Sequence, residues 1–240
     1  NVHSGTFCTA SGAAVMIWDG RTGHLLRTYV DVTPTAITAL CFDDRERKLI
    51  VADHAGNIRV LNYSNGAIMK HMPSHSDEVS GLAYVPDDRY VLSTSWDRKL
   101  KLHDESPHDE GKLVRSLDAC HVCDVTVCAI SNAYQLVATG GDDGSLQVWR
   151  LDERNLPHPH KELQGHKHCM TALCFLDPHP LLASADSGGT VRVWTTNFSS
   201  SFVRFRQLLQ ITNQPDSIWS SALMRCATVQ INNRNTDGVQ

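Results

Sequence analysis

A short sequence pattern returns five times along this 240-residue chain. Each copy is a run of alternating apolar and polar residues that ends at one anchor position, and the anchors are Trp18, Leu61, His103, Trp149 and Trp194. Successive anchors lie 43, 42, 46 and 45 residues apart. Periods of about 20 to 50 residues are typical of chains built from similar stacked units, so we expect a repeat protein.

Each unit contains short apolar or alternating runs separated by turn residues, which predicts β-strands. In the fourth unit the predicted strands cover residues 125–131, 136–140, 145–151 and 161–164. The run Gly141-Asp142-Asp143-Gly144 supplies the Asp-Gly chemistry of a tight hairpin. Residues 104–112 and 152–160, the second with Pro157 and Pro159, are expected to be longer loops. The pattern therefore predicts an all-β fold with four antiparallel strands per unit.

A histidine precedes three of the anchors by 28 residues, at His75, His121 and His166. With these marks and the Trp-Asp end at Trp18-Asp19, the sequence resembles the WD40 family over about residues 7–210. The resemblance implies a WD40-type β-propeller of about five visible blades in residues 1–212, as a partial ring or a fragment of a seven-bladed one. Residues 213–240 are expected to start a further blade or to form a C-terminal extension.

The resemblance also implies a buried, hydrogen-bonded tetrad in each blade, with members 28, 10 and 6 residues before the anchor. The one complete set is His121, Thr139, Asp143 and Trp149. In the third unit His103 stands in place of the tryptophan, and in the fifth Gly188 stands in place of the aspartate. The second unit replaces all four, with Thr33, Val51, Ala55 and Leu61. We therefore expect the Leu61 blade to depend on apolar packing and the Trp149 blade to be the most rigid.

Members of the family usually bind partners through loop residues on one narrow face, beside the tetrad histidine and the tetrad aspartate. Carried over position by position, the candidates are Trp96, Glu78, Ser80, Asp124, Thr126, Asp142, His54 and Ser187. This set has three acids, one tryptophan and no Lys or Arg. An aromatic anchor beside carboxylates suits a basic or Arg-bearing peptide. The alternative is that Trp96 only packs over a neighbouring loop.

Other function classes are disfavoured by the composition. A net charge of -4 supplies no basic field for nucleic acid, and the apolar runs are strand-sized, well below the ~20 residues of a membrane helix. The sequence contains no Gly-x-Ser-x-Gly elbow, phosphate loop or His-Glu-x-x-His motif, so we expect neither an enzyme nor a cofactor.

Two small groups of residues invite a chemical role. Cys120-x-x-Cys123 has one such pair alone, which is weak evidence for zinc, and we expect no metal. The neighbouring carboxylates Asp142 and Asp143 lie in a predicted turn, where aspartate is favoured for backbone reasons. The cysteines lack the spacing of a disulfide scaffold, which indicates a reducing, intracellular compartment.

Residues 42–50 and 56–62 also resemble the repeats of large WD-repeat proteins with EF-hands, several of which are associated with motile cilia. The leading hypothesis is a non-enzymatic scaffold for protein-protein interactions in a larger cytoplasmic complex, in a ciliary or cytoskeletal assembly. The alternative is a substrate receptor of a cullin-ring ubiquitin ligase, because Trp18-Asp19-Gly20-Arg21 resembles the end of an adaptor-docking motif. The first residue is not methionine, which predicts a piece of a longer protein.

Overall fold

The computed structural model describes residues 5–106, 111–118, 120–152, 157–197 and 204–211, with side chains up to Thr195. Within these ranges the chain forms nineteen β-strands in five antiparallel sheets, and no helix occurs in them. Accordingly, no helix of the described residues is long and apolar enough to cross a membrane. The all-β fold of repeated sheets expected from the sequence is confirmed.

The sheets are numbered here in chain order, and sheets 2 to 5 each have four strands. Sheet 1 has three strands, β1 (Thr6–Ser11), β2 (Ala14–Asp19) and β3 (Leu25–Tyr29). Sheet 2 has β4 (Ile37–Phe42), β5 (Lys48–Asp53), β6 (Ile58–Asn62) and β7 (Ile68–Met72). Sheet 3 has β8 (Val79–Val85), β9 (Tyr90–Ser95), β10 (Leu100–Asp104) and β11 (Leu113–Leu117).

Sheets 4 and 5 follow the same plan. Sheet 4 has β12 (Val125–Ser131), β13 (Leu136–Gly141), β14 (Leu146–Leu151) and β15 (Pro157–Leu163). Sheet 5 has β16 (Met170–Phe175), β17 (Leu181–Asp186), β18 (Val191–Asn197) and β19 (Arg204–Ile211). The chain divides into two compact units at the start of β12, so that sheets 1 to 3 belong to the first unit and sheets 4 and 5 to the second.

In every sheet the strands pair in sequence order, each with the next. The anchor lies within the third strand of sheets 2 to 5, and within β2 in sheet 1. Thus β1 occupies the second-strand position, in agreement with the three strands of this sheet. Residues 213–240, expected to begin a further blade or an extension, lie outside the described residues.

Burial decreases from the second strand to the fourth. In β5 and β9 five of the six residues are buried, whereas four of the five residues of β3 are exposed. A strand that is covered on both faces is apolar along nearly its whole length, whereas apolar and polar residues alternate in an outer strand. Ile50 and Leu61 of sheet 2 are fully buried. Each such side chain contributes about 1.5 to 3 kcal/mol relative to an exposed one.

A β-bulge lies opposite the anchor in all five sheets, where the pairing of the outer strand shifts by one residue. A bulge changes the side-chain alternation, and the extra residue is Leu26 in sheet 1 and Met69 in sheet 2. Both are about half exposed. The residue after the bulge is basic, and its side chain donates a hydrogen bond to the following sheet. Arg27 donates to the Ser64 carbonyl at 2.9 Å, and Lys70 donates to the Glu105 carbonyl at 3.1 Å.

The expectation of a loop over residues 152–160 is wrong for its second half. Strand β15 begins at Pro157, and Pro159 pairs with Trp149. Proline lacks the N–H that a residue of a central strand must donate. A proline-rich sequence therefore predicts a loop and not a strand. On the outer strand of a sheet that N–H is not needed, and the prolines are accommodated.

Candidate functional site

Three of the predicted partner-binding residues meet at one end of sheets 2 and 3. The Trp96 indole is 39% exposed, and the His54 ring meets it edge-on with 6.4 Å between the centroids. His54 Nδ1 lies 2.5 Å from the Glu78 carboxylate. We call Trp96, His54 and Glu78 the tryptophan cluster.

The local backbone explains why these side chains come together. His54 follows β5 and Trp96 follows β9, so each lies in the hairpin that joins the second and third strands of its sheet. The Trp96 N–H donates to the Glu78 carbonyl at 3.0 Å, and the His54 N–H donates to the Ala36 carbonyl at 2.9 Å. The cluster is therefore held by backbone bonds as well as by its side chains.

Gly56 allows the hairpin that carries His54 to approach sheet 3. Its φ is +85°, and a Cβ built there would lie 2.4 Å from the His75 carbonyl oxygen. The His75 N–H donates back to the Gly56 carbonyl at 2.9 Å. A side chain at this position would force the two loops apart, because both contacts are to backbone atoms.

The surface of the cluster is acidic and aromatic. The Glu78 carboxylate is 17% exposed and its position is set by His54, and the exposed Asp77 adjoins it in sequence. The packing of Trp96 on His54 supports part of the alternative prediction, since the indole covers a neighbouring loop. Nevertheless more than a third of the residue stays accessible. An accessible indole beside a carboxylate can accept a cation on its face and an ion pair at its edge.

The other predicted partner-binding residues are distributed differently. Asp124, Asp142 and Ser187 are exposed. Ser80 and Thr126 are partly buried, and their hydroxyls contact the protein itself: Ser80 Oγ lies 3.3 Å from Thr94 Oγ1, and Thr126 donates to the Met170 carbonyl at 2.6 Å. These two hydroxyls hold strands together, and a partner would have to compete with those bonds.

The predicted tetrad set is seen in part. His121 is buried, and Trp149 Nε1 donates to Thr139 Oγ1 at 2.9 Å. Asp143 is exposed and accepts the Ser145 N–H at 2.8 Å. The complete four-membered set and the greater rigidity of its sheet stay predictions.

Sheet 5 corrects the sequence-based expectation that Gly188 leaves its tetrad without an acid. Asp186, two residues earlier, lies 2.7 Å from His166 Nδ1, and His166 Nε2 lies 2.7 Å from Ser184 Oγ. Trp194 Nε1 donates to the same hydroxyl at 2.9 Å. The expectation was wrong because the carboxylate comes from the end of β17 and not from the turn. Spacing alone does not distinguish these two origins.

Sheet 3 builds an equivalent chain with a second histidine. His75 Nδ1 lies 2.9 Å from Asp97, and Ser93 Oγ lies 2.8 Å from His75 Nε2 and 2.9 Å from His103 Nε2. Since the carboxylate needs a donor, His75 Nδ1 carries the proton, Ser93 donates to His75, and His103 Nε2–H donates to Ser93. His103 thus replaces the indole N–H of a tryptophan. Its Nδ1 is buried without a hydrogen-bond partner.

Burial dominates the electrostatics of these chains. It lowers the pKa of His75 and of His166 despite their carboxylate partners, and it lowers the pKa of His103 to about 3. Burial would raise the pKa of Asp97, but the hydrogen bond from His75 and those from backbone amides hold it below the usual value. The histidines are therefore neutral near pH 7 and act as hydrogen-bonding groups in the core.

Sequence reasoning missed two kinds of hydrogen bond that involve the repeat positions. In sheet 1, Trp18 Nε1 donates to Thr9 Oγ1 at 2.8 Å, although Thr9 lies nine residues before the anchor and not ten. In addition, basic residues two positions before an anchor reach the loop that precedes the histidine mark. Arg59 donates to the Val32 carbonyl at 2.8 Å, and Arg192 to the Gly165 carbonyl at 2.6 Å. The repeat of Arg or Lys at this position was the available signal.

The cysteine pair and the Trp18-to-Arg21 motif take part in local contacts within the described residues. No group of three or more metal-ligating side chains occurs in the described parts of the chain. Burial raises the pKa of the Cys120 thiol to about 12, and its Sγ contacts the Arg98 carbonyl at 3.2 Å. In the Trp18-to-Arg21 motif, the Asp19 carboxylate accepts the N–H groups of Arg21 and Thr22 at 2.9 and 2.7 Å. A local turn thus accounts for Asp19, and the ubiquitin-ligase alternative stays a prediction.

Comparison with known proteins agrees with the repeat. The family model described as WD domain, G-beta repeat matches residues 66–104, 111–150 and 157–195, just under half of the chain. The chain is 22% identical over 185 residues to cilia- and flagella-associated protein 337 B of Tetrahymena thermophila, which covers 77% of this chain and 15% of that protein.

Two further relatives carry the same type of repeat or align with it. A WD repeat-containing protein on the Y chromosome of Drosophila grimshawi is 26% identical over 148 residues, 58% of this chain and 12% of that protein. Apoptotic protease-activating factor 1 of Rattus norvegicus is 26% identical over 216 residues, 74% of this chain and 17% of that protein. The chain thus matches less than a fifth of the length of each. The chain therefore contains WD40 repeats, three of which match the family model, and its periodic anchors and repeated four-stranded sheets are those of a WD40-type β-propeller fragment.

Proposed function

We propose that this chain is a non-enzymatic protein-binding platform whose partner surface centres on the tryptophan cluster. The observation that carries the proposal is an accessible indole next to a carboxylate whose position is set by a histidine. Exposed tryptophans at the centre of a rigid surface are frequent binding hot spots. Backbone hydrogen bonds hold the two hairpins, so little ordering entropy is lost when a partner binds.

The chemistry of the surface favours a basic, Arg-bearing peptide segment. A guanidinium pairs with a carboxylate through two parallel hydrogen bonds and also stacks on an indole. Glu78 supplies the carboxylate, Trp96 supplies the indole, and the exposed Asp77 adds a second negative charge.

The assembly in which this platform acts is proposed to be ciliary or cytoskeletal. The support is the likeness to a cilia- and flagella-associated protein over 77% of this chain. A tagged full-length protein is expected to localise to the axoneme in ciliated cells. A signal excluded from cilia would contradict this part of the proposal and would leave the tryptophan cluster to its own test.

The tryptophan cluster is tested with an array of Arg-bearing peptides and the variants Trp96→Ala and Glu78→Gln. We expect Trp96→Ala to weaken capture roughly tenfold or more, as for other hot-spot residues. The control is Leu26→Ala, since Leu26 is also half exposed but lies on the outer strand of sheet 1. Capture by that variant is expected to equal the original.

Thermal unfolding separates binding from folding. The Trp96→Ala variant is expected to change the free energy of unfolding by less than about 1 kcal/mol, because the site is exposed. Unchanged peptide capture in Trp96→Ala, with normal folding, would remove this surface as the partner site. Equal capture of Lys- and Glu-bearing peptides would remove the assignment of a basic partner.

A further inference from the structure

A second surface lies at the other end of sheet 2, where a cavity of about 460 Å³ opens between two turns. One turn joins β4 to β5 and contributes Arg47, next to Lys48 at the start of β5. The other joins β6 to β7 and contributes Tyr63, Ser64 and the neighbouring Met69. Cavities of about 300 to 1,000 Å³ are the usual size of ligand sites. None of the predicted partner-binding residues lines this cavity.

Tyr63 gives the cavity a fixed wall. Its N–H donates to the Arg47 carbonyl at 2.9 Å, its carbonyl accepts the Tyr29 hydroxyl at 2.8 Å, and its own hydroxyl lies 2.6 Å from Thr6 Oγ1. The Phe42 ring packs edge-on against it with 5.4 Å between the centroids. A wall held at so many points keeps its shape without a ligand.

The second turn is equally well supported. The N–H and hydroxyl of Ser64 both donate to Asn62 Oδ1, at 2.8 and 2.7 Å. The Ser64 carbonyl accepts the Arg27 guanidinium of sheet 1 at 2.9 Å. The cavity is thus formed by the folded chain before any partner arrives.

The two cations that line the cavity differ in their partners. Lys48 Nζ lies 2.5 Å from Glu105, whose side chain is 2% exposed, so this ammonium is neutralised within the protein. Arg47 uses its backbone N–H to bind Asp43, and its exposed guanidinium pairs with no carboxylate among the described residues. Arg27 lies outside the cavity lining and donates to the Ser64 carbonyl. Within the described residues, the cavity lining therefore contains one cation that forms no ion pair, Arg47, and one acid, Glu46.

The apolar part of the cavity comes from the bulge of the outer strand. Met69 is the extra residue of that bulge, and it is 48% exposed beside the equally exposed Ile68. An unbranched thioether adapts its shape to the apolar group that it meets. The cavity therefore combines a rigid aromatic wall, an adaptable apolar edge and an unpaired guanidinium.

We propose that this cavity binds a peptide segment of a protein partner in which an acidic side chain adjoins a large apolar one. The carboxylate pairs with Arg47, and the apolar side chain packs between Tyr63 and Met69. This partner has the opposite charge to the one proposed for the tryptophan cluster, so the two surfaces are independent and the platform holds two different segments.

The test is selection from a random peptide library displayed on phage, with the full-length protein as bait. We expect enrichment of peptides with Asp or Glu next to Leu, Ile, Met or Phe. Arg47→Glu and Met69→Asp are expected to weaken the selected peptides roughly tenfold or more, because each removes a principal contact.

Two matched controls are available. Arg45 is also an exposed arginine of the first turn but contacts Asp44 at 3.9 Å and does not line the cavity. Val114 is the exposed bulge residue of sheet 3 and also lies outside the cavity. Arg45→Glu and Val114→Asp are expected to keep the affinity within about twofold. If Met69→Asp lowers the melting temperature, Met69→Ala takes its place.

Four outcomes would overturn the proposal. They are the absence of any enriched peptide, enrichment of peptides without acidic residues, equal affinity for Arg47→Glu and the original protein, and loss of binding in Trp96→Ala instead. The last result would assign the selected peptides to the tryptophan cluster. If Trp96→Ala does not weaken capture of Arg-bearing peptides, acidic-apolar peptides are still expected to bind at the cavity beside Tyr63.

Discussion

Sheets 2 and 3 have the same strand order and the same bulges, but their interiors use different chemistry. In sheet 2 the anchor Leu61 and Val51 are fully buried in an apolar cluster with Val15. In sheet 3 the equivalent positions hold His103 and Ser93, joined to His75 and Asp97 by hydrogen bonds. The backbone of one repeat therefore tolerates either solution.

The difference lies in what each solution requires. Apolar packing requires side chains of suitable volume and shape, and it does not depend on specific hydrogen-bond partners. A buried polar chain needs every member, because a donor or acceptor left alone costs more than the bond itself contributed. Sheet 3 does not meet this requirement in full, because His103 Nδ1 is buried without a hydrogen-bond partner.

Sheet 2 still keeps one carboxylate, at the position that Asp186 occupies in sheet 5. Asp53 is fully buried and accepts the N–H of Ala55 at 3.1 Å and the N–H of Asn57 at 2.8 Å. Asp186 binds the amides of Gly188 and Thr190 in the same way. The aspartate at the strand end thus supports the hairpin, and contact with a histidine is an addition that sheet 2 lacks.

The largest expected effect comes from placing the anchor of sheet 3 in sheet 2. Leu61→His buries an imidazole where the structure offers Val51 and not a hydroxyl, and it removes apolar volume. We expect a loss of about 4 kcal/mol in the free energy of unfolding, measured by urea denaturation. Leu61→Met conserves volume and is expected to cost less than about 1.5 kcal/mol. Similar losses for the two variants would show that sheet 2 does not depend on apolar packing.

The next effect breaks the polar chain of sheet 3. Ser93→Ala leaves His75 Nε2 and His103 Nε2 without their shared hydroxyl, and we expect a loss of about 2 to 3 kcal/mol. Ser80→Ala, which removes a hydroxyl 3.3 Å from Thr94, is the control and should cost less than about 1 kcal/mol. In a His103→Leu background the cost of Ser93→Ala is expected to fall by about 1 kcal/mol. Strict additivity would disprove the coupling of the two residues.

The smallest effect appears as a pH dependence. Burial holds the pKa of His103 at about 3, below its value of about 6.5 in an unfolded chain, so the unfolded state binds more protons as the pH falls through 6.5. Stability is therefore complete above this value and is lost between about pH 6.5 and 3. From pH 7 to 5 we expect a loss of about 2 kcal/mol from this group. The lowered pKa values of His75 and His166 act in the same direction.

His103→Leu tests the source of this pH dependence. It gives sheet 3 the anchor of sheet 2 and is expected to reduce the loss of stability between pH 7 and 5 by about the same amount. Urea denaturation at several pH values measures the slope. An unchanged slope would mean that His103 is not the group that resists protonation.

Much of the fold followed from the sequence because the repeat is strong. The predicted strands of sheet 4 over residues 125–131, 136–140 and 145–151 agree with β12, β13 and β14 to within one residue at each end. Strand β15 was predicted too short, since Pro157 and Pro159 conceal an outer strand. The sequence also puts Trp96 and Glu78 in one set of partner-binding candidates, because both lie at fixed distances from the periodic marks. Their role in binding stays a prediction.

The side-chain partners were less predictable. Nothing in the spacing indicates that Asp186 binds His166, that Ser80 and Thr126 turn towards the protein, or that Arg47 stays unpaired while Lys48 meets Glu105. These partnerships depend on strand ends, bulges and neighbouring sheets. Residues from several repeats must come together before they exist.

The sequence by itself therefore determined the WD40-type repeat and the order of the strands, because these depend on hydrophobic period and turn chemistry within one unit. The tertiary structure decided which polar groups are satisfied, which sheet uses apolar packing, and which cation and indole stay accessible. Hydrogen bonds and burial are properties of atoms within a few ångströms of each other, and in this chain those atoms often come from different repeats.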